Sequence, residues 1–467
     1  MALRRPVAAL AGRTAGWLSR LTRRGGGTAV SGLVVAALDP DFVPASLRQM
    51  HSALTVTGTN GKTTTTAALC ALARAAGQTV LTNPTGSNLE RGLAAALLPQ
   101  VGWNGQLRDA PKLRAILELD EWAFASLAPT IRPRVTVFLN LFRDQLDRYG
   151  EVDRTAAAWA ATIDRLDAQA SVVANADDPA VVAVTRHHRG PLLFFGADVA
   201  SDSTTPDAWA DVRRCPACDG HLDWDRVVYA HLGSYRCRSC SFHRPTPDIR
   251  ITDFRSRGLA GSTYHLVTPE STRHIAVKLP GLYNAYNLAA AVAGVRAAGI
   301  YPVHAKSVLE GFEPAFGRAE TIQAPAASIV LLLVKNPTGA NQTLDLLRSE
   351  PEPLDTLLLL NDGVADGEDV SWIWDVEFER LSPRRLFVGG RRAEDLALRL
   401  KYAGVAPTVD DMLVCPGIGA ALDAALASEP GSQSRRLIVL TTYTAMLDLR
   451  AVCARRGWVD PYWRAAA

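Results

Sequence analysis

The run TVTGTNGKTTTTAAL, residues 55–69, constrains the fold more than any other part of the chain. Apolar residues before it predict a strand, and the alanine- and leucine-rich sequence after it predicts a helix that stops near Gly77. Between them, Gly58 and Gly61 allow the backbone to turn sharply and to approach a ligand closely. A strand, a glycine turn and a helix in this order are typical of parallel α/β folds.

The turn also carries the residue types that bind phosphate. Its backbone N–H groups precede the positive end of a helix, where an anion is stabilised. We expect Lys62 to neutralise β- and γ-phosphate charge and Thr63 to bind Mg²⁺. The common pattern GxxxxGK[ST] would need a glycine where this chain has Val56, so the loop is of a shorter type. The predicted nucleotide-binding residues of the loop are Gly58, Thr59, Asn60, Gly61, Lys62, Thr63 and Thr64.

The length of the chain, 467 residues, predicts two or three domains. Short apolar segments alternate with helical ones, which predicts a doubly wound α/β fold. A second series of strands starts after FGRAE (316–320). We divide the chain into an N-terminal basic segment (1–50), a central ATP-binding domain (51–317) with an insertion at about 205–247, and a C-terminal Rossmann-like α/β domain (318–467).

Composition excludes some classes of protein. With 48% apolar residues, 21% charged residues and a net charge of +3, the chain gives no electrostatic indication of nucleic-acid binding. It has no apolar run of about 18 residues that would cross a membrane. The start, MALRRPVAALAGRTAGWLSRLTRRGGG, allows three interpretations: a packed terminal helix, a membrane-surface contact or a targeting peptide. It lacks the apolar region of a secretory signal, so we expect a cytoplasmic protein.

Four of the seven cysteines form two CxxC pairs that are separated by 18 residues. Two such pairs can present four thiolates to one Zn²⁺, and four thiolates leave no open position for catalysis. We therefore expect a structural zinc ribbon, with redox-active or merely buried cysteines as the alternative. The other three, Cys70, Cys415 and Cys453, fit ordinary core positions. The predicted zinc ligands are Cys215, Cys218, Cys237 and Cys240.

The loop TGTNGKTT resembles the ATP loop of the Mur ligase and folylpolyglutamate synthetase superfamily, which also lacks the earlier glycine. Further motifs of that superfamily follow in the same order along residues 54–320: LELDE with Glu118, NLFRDQLDRYG (140–150), NADDP (175–179), GLYNAYNLAAA (281–291) and FGRAE (316–320). Members transfer the γ-phosphate of ATP to a carboxylate, and an amine then attacks the acyl phosphate.

The resemblance implies roles for individual residues. Glu118 is expected as a second magnesium ligand, Asn287 with Asp177 and Asn175 at the adenosine end of ATP, and Arg318 at the phosphates. One position departs from the family pattern, because Gln145 stands where the ligases carry a magnesium-binding His. We considered Asp144 as a replacement ligand, with helix capping or a salt bridge as the alternative.

The C-terminal half makes the resemblance more specific. Only about fifty residues precede the ATP loop, whereas the soluble ligases have a UDP-binding domain there. The four-cysteine insertion and the segments KNPTGANQ (335–342), NDGVADGEDVSWIWDVEFE (361–379) and VGGRRAEDLALRLKYAG (388–404) resemble the MurT family, the synthetase subunits of lipid II isoglutaminyl synthases.

This resemblance implies a reaction, partners and a location. The α-carboxylate of D-glutamate in the lipid II stem peptide would be phosphorylated by ATP with Mg²⁺, and ammonia would displace the phosphate. The chain offers no convincing cysteine nucleophile, so ammonia would come from a partner glutaminase, GatD. Asp369 is expected to complete the Cys and His of that partner across the interface. Lipid II would place the protein at the inner face of the cytoplasmic membrane.

Two other functions remain open at this point. A ligase that joins an amino acid to a carboxylate would turn over ATP with an amino acid and would need no glutaminase. A phosphate-loop and zinc-ribbon protein that binds nucleic acid would lose affinity steeply as the salt concentration rises.

Overall fold

The computed structural model describes residues 4–21, 28–50, 52–83, 90–144, 152–313, 318–406, 408, 411–427 and 436–460. Gln145 therefore lies outside the described residues, and Arg318 is described only in its backbone. The helices are α1 Arg4–Leu21, α2 Thr28–Leu38, α3 Phe42–Leu47, α4 Lys62–Ala75, α5 Glu90–Leu97, α6 Glu121–Ile131, α7 Val152–Ile163, α8 Pro179–Thr185, α9 Leu282–Ala297, α10 Ala305–Glu310, α11 Pro337–Arg348, α12 Ala393–Tyr402, α13 Ile418–Leu426 and α14 Tyr443–Arg455.

The strands belong to two larger sheets and one hairpin. The strands are β1 Ser52–Thr57, β2 Thr79–Leu81, β3 Leu113–Glu118, β4 Val135–Phe138, β5 Ser171–Asn175, β6 Leu192–Asp198, β7 Leu222–Tyr229, β8 Leu232–Cys237, β9 Ile249–Ser256, β10 Ser262–Thr268, β11 Ser271–Val277, β12 Arg318–Gln323, β13 Ser328–Leu333, β14 Asp355–Leu359, β15 Leu386–Gly389, β16 Leu413–Cys415 and β17 Arg436–Thr441.

The first sheet has the order β11-β10-β9-β6-β5-β4-β1-β3-β2 in the described part of the chain. It is parallel from β2 to β9, and β10 and β11 extend it antiparallel. Along β1, Ala53 belongs to the core on one face, and Leu54 and Val56 belong to the core on the other. Both faces are therefore covered, as expected for a sheet of short apolar parallel strands.

The second sheet has the order β12-β13-β17-β14-β15-β16, and only the β12–β13 pair is antiparallel. Its strands also alternate between two cores: Ile329 and Leu331 of β13 pack on one face, and Val330 and Leu332 on the other. The prediction of a mixed α/β fold with parallel sheets is confirmed.

The cysteine-rich segment leaves the first sheet between β6 and β9, which pair with each other. It contributes the antiparallel hairpin β7–β8. The hairpin packs on the end of β5, where the Tyr235 hydroxyl donates to the carbonyl of Ala176 at 3.2 Å and Gly233 N–H donates to the carbonyl of Asp177 at 2.9 Å. It therefore buttresses the loop that follows β5.

The N-terminal basic segment folds as α1, α2 and α3. Helix α1 packs on α2 at Gly12, and Ala8 and Ala9 of α1 are buried. Helix α2 packs in turn on α5. Across the described residues, no helix combines the length and the apolar character needed to span a bilayer.

Candidate active site

The phosphate-binding loop lies at the carboxyl end of β1, the position at which parallel sheets bind ligands. Both glycines have positive φ, +141° at Gly58 and +89° at Gly61. A Cβ atom on Gly61 would lie 2.0 Å from Oδ1 of Asn287 in α9. Glycine is therefore needed here for its backbone conformation and because a side chain from α9 lies directly on the loop.

Lys62 is buried at the start of α4 and bends back over its own loop. Its ammonium group donates to the carbonyls of Gly58 and Thr59 and lies 3.3 Å from Glu121 Oε2. Burial alone would lower the pKa of Lys62, but the carboxylates of Glu121, Asp144 and Glu118 outweigh it and raise this pKa above its ordinary value. Lys62 therefore stays a cation beside the loop.

Thr63 and Glu118 are brought together, as expected for magnesium ligands. The Thr63 hydroxyl donates to Glu118 Oε1 at 3.1 Å. The backbone of Glu118 is held by Asn83, which accepts from its N–H and donates to its carbonyl, both at 2.9 Å. A hydroxyl and a carboxylate are hard oxygen ligands that suit Mg²⁺.

A second backbone segment, Asn140–Phe142, closes the loop from the side of β4. The side-chain amide of Asn140 accepts from the backbone N–H of Asn60 at 2.8 Å and donates to the backbone carbonyl of Asn60 at 3.1 Å. The Thr59 hydroxyl donates to the carbonyl of Phe142 at 3.1 Å. Thr59 and Asn60 therefore have fixed positions before any ligand binds.

A pocket of about 100 Å³ opens beside the loop, between the two sheets. On the side of the first sheet, hairpin β7–β8 and α9 contribute aromatic and amide side chains. On the side of the second sheet, residues of β13 and α11 line the pocket. Flat aromatic rings beside amide groups suit a nucleobase. Its lining includes Asn60, Gly61, Thr64, Asn140, Phe142, Tyr229, Tyr283, Tyr286, Asn287, Lys335, Thr338 and Gln342.

Asn175 and Asp177, expected at the adenosine end, are not among the residues that line this pocket. Asp177 is fully buried, and its carboxylate accepts from Arg244, from Ala197 N–H and from the hydroxyl of Tyr286. Asn175 accepts from Asp177 N–H at 3.1 Å. The structure thus places this pair behind the wall, where it holds Tyr286. The sequence predicted a direct contact with adenosine. In the structure, both carboxylate oxygens of Asp177 instead accept hydrogen bonds from protein groups.

Two contacts join the phosphate-binding loop and the neighbouring segment after β4 to residues that follow β13. Asn60 and Asn336 exchange amide hydrogen bonds of 3.3 and 3.0 Å. Next to them, Lys335 forms an ion pair with Asp144. Burial raises the pKa of Asp144, and Lys335 offsets this only in part. Asp144 therefore forms the salt bridge that was the alternative to a magnesium ligand.

Asp369 lies in the exposed loop after β14. Its carboxylate accepts from Ser371 N–H at 2.8 Å, and hydrogen bonds from Ser371 lower the pKa of Asp369. It lines a second pocket, of about 70 Å³, together with Asp144 and Lys335. Asp366 of the same loop is instead committed to the fold, because it accepts from the N–H and hydroxyl of Thr444.

The four predicted zinc ligands lie together, with all their sulfur atoms within 4.8 Å of one another. The Sγ atoms of Cys215 and Cys240 are 3.7 Å apart, and those of Cys218 and Cys237 are 3.5 Å apart. A tetrahedron with Zn–S bonds of about 2.3 Å has edges of about 3.8 Å, so the cluster fits Zn²⁺. The other cysteines, Cys70, Cys415 and Cys453, lie outside it.

Some residues of the site were missed in the sequence. Glu121, Asn140, Lys335 and Asn336 all stand within the motifs quoted above, but their partners are distant in sequence. Asn83 had only the weak signal of a polar residue after a short strand.

Comparisons with known proteins agree with this fold. Residues 56–213 match the Mur ligase middle domain family, and residues 333–446 match the MurT ligase C-terminal family. Among solved structures, MurF from Acinetobacter baumannii superposes with a TM-score of 0.64 at 16% identity, over 92% of this chain and 80% of that one. Mycobacterium tuberculosis folylpolyglutamate synthase, solved with ADP and AMPPCP, gives 0.60 at 16% identity, over 90% of this chain and 95% of that one.

Two curated relatives are named subunit MurT of lipid II isoglutaminyl synthase (glutamine-hydrolyzing). The Streptococcus pneumoniae protein is 32% identical over 464 residues, which are 98% of this chain and 98% of that one. The Staphylococcus aureus (strain COL) protein is 30% identical over 81% of this chain and 84% of its own length. Because the similarity extends over almost the whole length, the chain belongs to the MurT family of ligases, within the Mur ligase superfamily.

Proposed function

We propose that this chain is the synthetase subunit of a lipid II isoglutaminyl synthase and acts in peptidoglycan synthesis. In the proposed reaction, ATP phosphorylates the α-carboxylate of D-glutamate in the lipid II stem peptide, and ammonia converts the acyl phosphate to D-isoglutamine. The observation that carries the proposal is the grouping of Lys62, Thr63 and Glu118 at one loop between the two sheets. The names of the relatives support the substrate.

The proposed chemistry has two steps. A carboxylate oxygen attacks the γ-phosphorus of ATP, and the bond to the β–γ bridging oxygen breaks to release ADP. Ammonia then attacks the carbonyl carbon, the C–O bond to phosphate breaks, and the nitrogen loses one proton. Lys62 would stabilise the negative charge on the transferring phosphoryl group throughout the first step.

We assign the remaining ligand contacts by position. Gly58, Thr59, Asn60, Gly61 and Thr64 would surround the phosphates, and Asn287 with Tyr286 would hold the adenosine. Asp177 and Asn175 would support that wall from behind, and Arg318 remains a predicted phosphate contact. Thr63 and Glu118 would hold Mg²⁺, which would offset phosphate charge. Cys215, Cys218, Cys237 and Cys240 would hold a structural Zn²⁺.

The proposal extends to domains, partner and location. The first sheet supports a central domain at 51–317 that carries the ribbon, and the second sheet supports a C-terminal domain at 318–467. The relatives are named as subunits of a glutamine-hydrolysing enzyme, which supports a partner glutaminase such as GatD. We assign to Asp369 the role of serving that partner, and its exposed position in the loop after β14 supports this assignment. The lipid-linked substrate supports a position at the inner membrane face.

The test is amidation of lipid II by the purified chain, read by mass spectrometry together with ATP hydrolysis. Ammonium salt alone should support amidation, and glutamine alone should not until the partner glutaminase is added. Lys62→Ala should reduce the ammonia-dependent rate by at least about 10²-fold. The matched control, Lys306→Ala, removes an exposed surface lysine and should leave the rate unchanged.

Three results would contradict the proposal. Normal ammonia-dependent turnover by Lys62→Ala would remove the loop from the reaction. ATP turnover that needs an amino acid in place of ammonia would instead identify an amino-acid ligase. Affinity for nucleic acid that falls steeply with salt, without amidation, would indicate a nucleic-acid-binding protein.

A further inference from the structure

The large apolar side chains that the protein exposes are concentrated at its N-terminus. The described residues expose fifteen of them, and eight lie on α1, α2 or the loop before β3. Helices α1 and α2 together contain only 29 residues, so this is a concentrated surface and not the usual scatter of single apolar residues. The eight are Val7, Leu10, Trp17, Leu18, Val30, Leu33, Leu38 and Trp103.

We propose that the exposed sides of α1 and α2, called here the outer face, bind the surface of a bilayer that contains anionic lipids. The outer face consists of Val7, Leu10, Trp17 and Leu18 of α1 and Val30, Leu33 and Leu38 of α2. The biological role of this contact rests on the proposed function, whereas the binding itself requires no lipid II.

The first argument is the orientation of the two helices. Small residues face the protein: a Cβ on Gly12 of α1 would lie 2.5 Å from Val35 Cγ2, and a Cβ on Gly32 of α2 would lie 1.9 Å from the carbonyl oxygen of Arg91. Large apolar residues face outward, with Leu10 at 51% and Leu33 at 54% exposure. A surface helix of a water-soluble domain has the opposite arrangement, with its large apolar side chains inward.

The second argument is the distribution of charge. Residues 1–38 contain six arginines and no lysine, aspartate or glutamate. Of the 50 basic and 47 acidic side chains in the whole chain, 44 basic and 47 acidic ones therefore remain for the other 429 residues, a net charge of −3. The basic charge is thus concentrated in the stretch of sequence that contains α1 and α2. An interfacial helix on an anionic membrane combines these two properties.

The chemistry of the outer face favours lipid over a protein partner. Arg4 borders the apolar surface, because its side chain donates to the carbonyl of Leu38. The long stem of an arginine can lie along acyl chains while its guanidinium group reaches the headgroups. Trp17 of the outer face is 57% exposed, and Trp103 of the loop beside it is 78% exposed. Tryptophan is enriched at membrane interfaces. Arg13 lies over the Trp103 ring at 6.0 Å, which joins that loop to α1.

The helices that carry the outer face share a hydrophobic core with the strand that carries Glu118. Ala9 of α1 and Val35 of α2 are buried in the same core as Leu117, which precedes Glu118 in β3. Binding of the outer face to a bilayer would therefore fix the orientation of the whole first sheet toward the membrane. A lipid-linked stem peptide would then meet an active site held at the surface where it is displayed.

The test is co-sedimentation of the full chain with vesicles of phosphatidylcholine alone or with added phosphatidylglycerol. We expect binding to the anionic vesicles that weakens as salt rises. The combined variant Leu10→Gln, Trp17→Gln and Leu33→Gln should bind at least about tenfold more weakly, with an unchanged melting temperature. The matched control, Tyr301→Gln with Val303→Gln, changes exposed apolar residues elsewhere and should bind normally.

Two further measurements separate the explanations. Replacing Arg20, Arg23 and Arg24 by glutamine should reduce binding to anionic vesicles and leave the apolar outer face in place. The Leu10, Trp17 and Leu33 variant should amidate lipid II normally in detergent and more slowly in vesicles. A loss of activity in both would show that these residues support the fold or the reaction itself and not membrane binding. Absence of vesicle binding by the unmodified chain, or a dimer that this variant dissociates, would overturn the inference.

Discussion

At the scale of single residues, the site depends on charges that are buried in pairs. Lys62 lies 3.3 Å from Glu121, and both side chains are almost fully buried. Burial alone would raise the pKa of Glu121, but Lys62 and Lys335 outweigh it and lower that pKa. Each charge therefore keeps the other ionised, and loss of one partner would leave an uncompensated charge in the interior.

Asp369 gives a prediction that separates two activities. Asp369→Asn should strongly reduce glutamine-dependent amidation by the complex with the glutaminase, because an amide cannot stabilise a protonated partner His. Ammonia-dependent amidation should largely survive, since the hydrogen bond that the Asp369 carboxylate accepts comes from Ser371 of its own loop. Both rates are measured with lipid II, and Glu368→Gln, the neighbouring exposed acid, is the control.

The opposite outcomes are equally informative for Asp369. An equal fall in both rates would assign the residue to the ligase site or the fold. Unchanged rates would leave it an ordinary loop residue that accepts from Ser371.

Tyr286 tests the wall of the nucleotide pocket. Tyr286→Phe removes the hydroxyl that donates to buried Asp177, and a hydrogen bond to a charged group contributes about 1.5–3 kcal/mol. We expect a loss of unfolding free energy in that range and a raised KM for ATP. Tyr264→Phe is the control, because the hydroxyl of Tyr264 is buried and has no hydrogen-bond partner among the described residues. Equal effects of the two substitutions in denaturant titrations would show that Asp177 does not depend on Tyr286.

At the scale of elements, the cysteine hairpin is part of the support for the pocket. Hairpin β7–β8 supplies Tyr229 to the pocket lining and donates Gly233 N–H to the Asp177 carbonyl. Arg244, which follows the second CxxC pair, forms the ion pair with Asp177. The cysteine-rich segment thus holds the loop after β5, whose Asp177 accepts the hydrogen bond from Tyr286.

Zinc content gives the prediction for this element. Elemental analysis should find one Zn²⁺ per chain, and Cys215→Ser with Cys237→Ser should lose it. Because metal binding is coupled to folding of the ribbon, this variant should melt at a lower temperature, with a smaller change in the chemical step at saturating ATP. Cys415→Ser, outside the cluster, should keep its zinc. Metal-free protein with unchanged melting would exclude a zinc ribbon.

At the scale of the whole molecule, the two sheets meet at the phosphate-binding loop. Asn336 has two roles there: its Oδ1 accepts from Gly339 N–H at 2.8 Å as the N-cap of α11, and its amide pairs with Asn60. The contact ties the position of the second sheet to the conformation of the ATP loop.

Substitutions at Asn336 can separate the two roles. Asn336→Ser keeps a capping oxygen but cannot reach Asn60, so we expect a several-fold higher KM for ATP and a nearly unchanged melting temperature. Asn336→Ala loses both roles and should also lose about 1 kcal/mol of stability. Steady-state kinetics and thermal melting measure the two effects. An unchanged KM in both variants would show that the Asn60 contact does not shape the site.

The sequence by itself determined what depends on a few neighbouring residues. The glycine loop, the placement of Lys62 and Thr63 at a helix start and the spacing of the CxxC pairs follow from local backbone geometry, and the structure shows each of them. Alternating apolar segments likewise predicted the parallel sheets, because periodicity is a local property of a strand.

Only the tertiary structure decided which distant side chains meet. Asn60 and Asn336 are 276 positions apart, and they meet because the loop after β1 and the start of α11 lie side by side in the folded chain. Contacts within the first part of the chain direct the Asp177 carboxylate to Arg244 and Tyr286. The packing of α1 on α2 leaves the large apolar side chains of α1 exposed. A residue type limits the bonds that a side chain can make, but the partner that it meets is set by the arrangement of whole elements.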